Sequence, residues 1–446
     1  MIQKAKEIIS TITFPVDEDT KSYLKLKWKE LPAQLQTKQQ IYGRNEEGCG
    51  ATVGVMPKCD FNCKGCYLGK SANLTPTESI VNIKQQMLEL RKYLGRWGNF
   101  QLTDGEVTLL PAESLIDILN YAREIELIPM IMTHGENFRE NPDLLKKLMI
   151  EGGLQEISLH VDTTQKGRRS KLWQSPKNEL ELNSLRSEFA KLIRSVRQET
   201  GLPLRVATTI TVTDFNIDDI NELMPFFMEN SDVFQLVSFL PLASVGRTRS
   251  ELNQVSTKNV WKKVVNGVFK NDKSHDDQLW WMGHPDCNKF LTGLIFKNKG
   301  KQLYLPISSS VLKEEKILKK FFSTFGGITF RADKGLKKYA RMLGMFIKAP
   351  LLLGFSIPKH FLSRLYNAGG MRLILSSIFN FRKVRRFTVV THSFMDKDEL
   401  QTDKGKERLE SCSFKVFYQN ELISMCEFNA LGLRDKYYEE LKMRAK

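Results

Sequence analysis

A chain of 446 residues, 41% hydrophobic and with only 15 Pro, is long enough for two or three buried cores and is not the composition of a disordered protein. Its formal charge of +16 is concentrated: from Lys289 to His392 there are 21 Lys and Arg against three acidic residues, so the rest of the chain is slightly negative and has no need of a polyanionic partner. Seven Cys, odd in number and clustered, exclude a disulfide framework and point to metal ligands in a reducing compartment. Met1 to Ile9 lack a signal peptide's apolar core, and no run approaches the ~18 apolar residues of a membrane span, so the expected place is the cytoplasm, soluble or peripheral to a membrane.

Residues 1–48 read as an N-terminal extension, with a helix over Thr20–Leu31 and a polar linker over Gly43–Gly48. An alternation then begins. Ala51–Met56 reads as a short buried strand, and a cysteine loop follows it. Thr75-Pro76-Thr77-Glu78 has the form of a capping box opening a helix to Leu94. Strands are expected over Asn99–Thr103, Ile128–Thr133, Gln155–Val161, Leu204–Val212 and Val233–Leu240. Helices are expected between them over Ala112–Glu124, Asn141–Glu151, Glu179–Glu199 and Ile217–Glu229. Six strand-helix units of this length mean an α/β fold with right-handed crossovers and a covered parallel sheet. Ligands in such folds sit beyond the carboxyl ends of the strands, so the residues after each strand carry the information.

The first such loop, Met56 to Lys70, carries Cys59, Cys63 and Cys66. Three thiolates on one short loop select a soft metal, zinc or an iron-sulfur cluster. A structural zinc would take four ligands. Cys49 lies ten residues upstream and the next His is His134, so the loop stops at three and leaves a metal position open. A zinc loop completed by Cys49, or three unrelated thiols, are the other readings. The Cys-x3-Cys-x2-Cys spacing resembles the signature loop of the radical S-adenosylmethionine (radical SAM) superfamily. That resemblance implies a partial (β/α)6 TIM-like barrel over residues 49–250 and a [4Fe-4S] cluster on the three Cys, its fourth iron left to S-adenosylmethionine (SAM). Gly65 stands where that family carries a bulky apolar residue, and Tyr67 follows the third Cys instead.

The second post-strand loop, Asp104-Gly105-Glu106, resembles the family's Gly-Gly-Glu element with Asp104 for the first Gly, which implies that Asp104, Gly105 and Glu106 lie in the SAM site and that Glu106 accepts the SAM amino group. In the fourth strand, alternation puts Ser158, His160 and Asp162 on one face, and the resemblance makes Ser158 and His160 candidates for the SAM ribose. His160 could equally be a hydrogen-bonded core histidine. Thr209, on the fifth strand, could face SAM or be an ordinary strand former. Arg247, in the loop Pro241–Thr248, could anchor a carboxylate or phosphate or be an exposed surface Arg, and Thr163–Arg169 could be a second basic element at the same mouth or equally a solvated loop.

Residues 251–446 read as a basic α+β C-terminal domain. Cys412 and Cys426 flank a hairpin over Phe414–Tyr418 and Leu422–Met425, and Cys287 follows Trp280–Asp286. Cys287, Cys412 and Cys426, with Cys49 or a His, could hold an auxiliary iron-sulfur cluster, or be three reduced buried thiols. Leu336–Lys348 and Met371–Phe379 mix Leu, Ile, Phe and Met with Lys and Arg, the pattern of a helix lying on an anionic bilayer or, equally, of a helical subdomain whose Lys and Arg are simply solvated, and RNA is the less favoured partner. The hairpin tail weakly resembles lipid-acting radical SAM enzymes of the tetraether and hopanoid synthase type. The resemblance implies reductive cleavage of SAM to methionine and a 5'-deoxyadenosyl radical that takes hydrogen from an unactivated C-H bond, fed by a reductase or by a flavodoxin or ferredoxin. A membrane lipid is the first expected substrate and a peptide or RNA the second. A non-catalytic zinc or RNA-binding protein is the rival.

Overall fold

The computed structural model describes residues 2–248, 252–269, 279–298, 301–308, 310–311, 314–330, 335–354, 356–379 and 384–445. The expected domain boundary at residue 250 lies outside these. One eleven-stranded sheet organises both halves of the chain. Strands β1 (Cys49–Ala51), β2 (Gly98–Leu102), β3 (Leu127–Thr133), β4 (Glu156–His160), β5 (Arg205–Val212) and β6 (Phe234–Pro241) run parallel in sequence order. Helices Ile80–Leu94, Ala112–Glu124, Pro142–Ile150, Asn183–Thr200 and Ile220–Glu229 connect them. Their apolar faces, Met87, Leu90, Ile118, Leu148, Phe189 and Phe227 among them, pack on the sheet as one continuous core.

The C-terminal half does not form a separate layer. Its β7 (Asn288–Asn298) and β8 (Lys301–Pro306) are antiparallel at one edge, joined through β9 (Arg385–His392), which pairs parallel with β6. At the other edge β10 (Phe414–Tyr418) pairs parallel with β1, and β11 (Glu421–Ser424) closes the expected hairpin. Gln419 and Asn420 make its two-residue turn, both at positive φ (47° and 66°), as the twist of a hairpin favours. Eight strands are therefore parallel where six were expected.

Three boundaries depart from the sequence expectation, each because a side chain replaces a backbone partner. The first strand was expected over Ala51–Met56, yet β1 ends at Ala51: Val53 exchanges two hydrogen bonds with the Gln86 amide, and the Gly54 N-H donates to Asp104 Oδ2 at 2.9 Å. The capping box at Thr75–Glu78 is not made. Glu78 instead accepts from the Tyr437 hydroxyl (2.7 Å), and Ser79 caps the helix through the Asn82 N-H. In the N-terminal extension the helix runs over Glu18–Glu30, begun two residues early by Asp17, whose carboxylate accepts from the Thr20 N-H, and a further helix occupies Ile2–Thr13.

Candidate functional site

The cysteine loop stands beyond the carboxyl ends of the parallel strands and is held there by backbone. The Asn62 and Lys64 N-H groups donate to the carbonyls of Lys166 and Thr164, at 2.7 and 2.9 Å. Asn73 clamps Cys59 through both its N-H (3.0 Å) and its carbonyl (3.2 Å). The Arg247 N-H, from the loop after β6, donates to the carbonyls of Cys66 and Leu68. Two glycines permit this closeness. Gly105 has φ +55°, and a Cβ there would stand 2.2 Å from the Met56 carbonyl oxygen; Gly246 has φ +61°, and its Cβ would stand 2.2 Å from that of Tyr67.

Cys59, Cys63 and Cys66 line one cavity together with Gly105, Glu106, His160 and Thr209. Burial pushes the Cys59 thiol up to about 12 and the Cys63 thiol well above its ordinary value. Cys59, Asp60 and His134 have ligand atoms within 4.8 Å of one another. His134 is already committed, however. Its Nδ1 accepts from the Glu136 N-H (3.2 Å), so Nε2 carries the proton and donates to Asp60 (2.8 Å), while the ring stacks on Phe61 at 3.9 Å. Arg169 holds the other Asp60 oxygen at 2.8 Å. The three thiols are the soft ligands that remain.

Glu106 is buried and oriented from two sides: Thr133 Oγ1 (2.6 Å) and Thr108 Oγ1 (2.5 Å) donate to one oxygen, the His134 N-H (2.9 Å) to the other. A fixed carboxylate facing the cavity beside the thiols fits an ammonium group. His160 Nε2 is buried without a hydrogen-bond partner, and so is Arg247 Nε, and both residues line the cavity. Unpartnered buried donors and acceptors of this kind mark the place of a polar ligand. Burial pulls the His160 imidazole down to about 4, so it is neutral and suits a hydroxyl rather than an anion. This donor set, soft thiols for a cluster and an oriented carboxylate with a neutral imidazole for an amino acid and a ribose, fits a [4Fe-4S] cluster with SAM.

The remaining expected residues divide. Thr209 lines the cavity, and its hydroxyl lies 3.3 Å from that of Ser158, which is buried below it and does not reach the cavity wall. Asp104 turns the other way: its carboxylate is fully buried among Arg434, Tyr438 (2.5 Å) and the Gly54 N-H, and cannot be a SAM ligand. Tyr67 lines the cavity and stacks on the Arg434 guanidinium at 4.7 Å. Gly65 has a physical reason as well. A Cβ there would meet Leu242 Cδ1 at 2.7 Å, so Leu242 from the closing loop takes the place a bulky residue before Cys66 would fill. Arg168 is buried and bonded to the carbonyls of Asp162, Gln165 and Trp173, a structural role rather than a basic mouth.

Sequence reasoning missed the cavity's far wall, formed by His392, Phe394, Phe414, Met425 and Asn429 of the C-terminal half. Beyond it, Cys287, Cys412 and Cys426 line one small second cavity that shares His392, Phe394, Phe414 and Met425 with the first. Cys49 does not line it. Burial pushes Cys287 up to about 11, and Arg408 Nε donates to its sulfur at 3.3 Å.

His392 is also held down to about 4 by burial. An unfolded histidine titrates near 6.5, so between pH 6.5 and 4 the unfolded chain binds protons at His160 and His392 that the folded chain refuses. Stability is therefore full well above pH 6.5 and falls as pH drops toward 4, by at most about 2 kcal/mol for each histidine at pH 5. Denaturant midpoints measured at pH 7 and pH 5 should differ, and His160→Gln should remove part of the difference. An identical pH dependence in the variant would contradict the assignment.

No family model matches the chain, and no curated protein matches it. Among solved structures, 57 chains match. The chain is similar to SuiB of Streptococcus suis bound to its precursor peptide SuiA, with 16% identity and a TM-score of 0.36 over 50% of this chain and 46% of that one. It is also similar to anSMEcpe with bound AdoMet (13%, 0.35, 50% and 57%) and to a radical SAM methyltransferase from Sphaerobacter thermophilus (16%, 0.31, 49% and 60%). The chain spans about half the length of these solved structures. What the site can do is set by its own residues.

Proposed function

We propose that this protein is a radical SAM enzyme, with Cys59, Cys63 and Cys66 holding a [4Fe-4S] cluster and Glu106, His160, Thr209 and Arg247 holding SAM against it. The observation that carries the reading is the convergence on one cavity of three soft ligands, an oriented carboxylate and two unpartnered buried nitrogens. When bound, cluster and SAM together supply hydrogen abstraction from an unactivated C-H bond, with the electron coming from a flavodoxin, a ferredoxin or a reductase. The chain's own part is to orient SAM and exclude water: the loop over Pro241–Thr248 closes on Cys66, and Leu242 packs on Gly65.

Phe394, Phe414 and Met425 make most of the cavity wall contributed by the C-terminal half, beside the polar His392 and Asn429, and this apolar majority favours an alkyl chain over a charged peptide or a nucleotide. A lipid is therefore the substrate class we propose. Cys287, Cys412 and Cys426 are proposed to hold an auxiliary iron-sulfur cluster, supported by their shared cavity one wall away from the first.

Anaerobically purified protein should be brown, with broad visible absorption that dithionite bleaches, and should release 5'-deoxyadenosine from SAM. A colourless protein that contains zinc and releases none would instead favour the structural-thiol rival.

A further inference from the structure

Eleven of the 25 exposed large apolar side chains among the described residues fall between 336 and 379, so this segment is where the surface departs from that of an ordinary monomer. On helix Leu336–Leu353 they are Leu336, Tyr339, Leu343, Phe346, Ile347 and Leu351, spaced three and four apart along one stripe. Phe346 and Leu351 are 69% and 77% exposed. A second face of the same helix is covered. Gly344 lies against Ile12, where a Cβ would stand 2.4 Å from the carbonyl oxygen, and Lys337 pairs with Glu7 at 2.7 Å. The helix over Ile2–Thr13 therefore fixes which face is left open. The two helical stretches within Ser356–Phe379, broken at Gly370 (φ 66°), bury Leu365 and Leu373 against Phe296 and Leu305 and leave Tyr366, Met371, Leu375 and Phe379 exposed.

Charge selects the occupant of this surface. From Lys334 to Met395 the sequence holds twelve Lys and Arg and no Asp or Glu, and of these cations Lys337 is paired with Glu7 and Arg385 with Asp232. A second copy of the chain would bring the same charge and be repelled. Nucleic acid would match the charge but leave the aliphatic stripe in water. An anionic bilayer answers both features, taking the apolar stripe into the headgroup boundary while its phosphates meet the cations. Among the described residues no helix is long and apolar enough to cross a membrane, which fits a helix lying in the interface.

We propose that the stripe Leu336–Leu351, with the flanking cations, docks this protein on the surface of an anionic lipid bilayer. The docking surface is independent of the cysteine chemistry; only the step that the substrate is an amphiphile drawn from that bilayer rests on the function proposed above.

The test is flotation of the full chain with phosphatidylcholine vesicles, with and without phosphatidylglycerol, at low and high salt. Binding should require phosphatidylglycerol, weaken with salt and persist in part, because salt screens the charges but not the apolar burial. The triple variant Leu343→Ser, Phe346→Ser, Leu351→Ser alters exposed positions only, so its melting temperature should match that of the parent. It should float at least about tenfold less at high salt, from the lost apolar burial of three side chains. The docking assignment fails if anionic vesicles are not bound at low salt. It fails too if the triple variant floats like the parent, or if the parent instead retains RNA through a contact the variant leaves intact. A lost SAM cleavage activity with normal flotation would sink the enzymatic reading and leave this one standing.

Discussion

Cys63→Ala should abolish the visible absorption of the reconstituted protein and lower 5'-deoxyadenosine release on the order of 10³-fold or more, to background. The magnitude follows from what is removed. Changing a neighbour that merely orients a metal ligand costs 10–100-fold, and here one of the three proposed ligands disappears. The structure separates this effect from misfolding. Cys63 lies in a loop, half-buried, outside the apolar clusters that hold the sheet, and its loop is fastened by the Asn62 and Lys64 N-H groups rather than by its thiol. The circular dichroism spectrum and melting temperature should therefore change little. Cys59→Ala and Cys66→Ala should lose absorption and deoxyadenosine release alike, because the three sulfurs share one cavity. Retained absorption together with retained deoxyadenosine release in any one of the three would remove the cluster assignment.

How much of this was legible in the sequence depends on how local the cause is. The alternation of helix and strand from residue 98 to 241 is written in runs such as Leu127–Thr133 and Arg205–Val212, whose apolar pattern needs no distant partner to be read. The polar row of β4 was legible in part for the same reason: period two puts Ser158, His160 and Asp162 on one face, and of these His160 and Asp162 line the cavity while Ser158 stops short of its wall. What escaped is non-local. β10 pairs with β1 across more than 360 residues, and β9 joins β6 from beyond the basic helices, so the expected six parallel strands became eight. The strand expected over Ala51–Met56 failed because Gln86 and Asp104, not another strand, take the hydrogen bonds of Val53 and Gly54. Asp104 itself misled for a related reason. Its neighbours Gly105 and Glu106 face the cavity, but the residue that decides its own direction, Arg434, is 330 positions away.

That arginine carries the last expectation. Arg434→Met should cost about 3–5 kcal/mol of stability, the usual penalty for removing one partner of a buried ion pair and leaving the other charge behind. Arg434 is 2% exposed and Asp104 fully buried. Tyr67 and Phe428 flank the guanidinium, each at 4.7 Å, its Nε donates to Asn429 Oδ1 at 2.8 Å, and it is paired with Asp104. One side chain thus fastens the C-terminal helix Leu433–Arg444 to the turn that carries Gly105 and Glu106, to the residue after Cys66, and to the cavity wall. A loosened turn should weaken SAM binding while the iron content stays near that of the parent, since the thiols are held by other contacts. Adding Asp104→Asn should recover much of the stability, because the neutral amide can still accept from the Tyr438 hydroxyl and the Gly54 N-H without a counter-charge. Chemical denaturation, SAM titration and iron analysis on the single and double variants decide it. An unchanged unfolding midpoint for Arg434→Met, or SAM affinity equal to the parent's, would show that the C-terminal helix does not hold the turn.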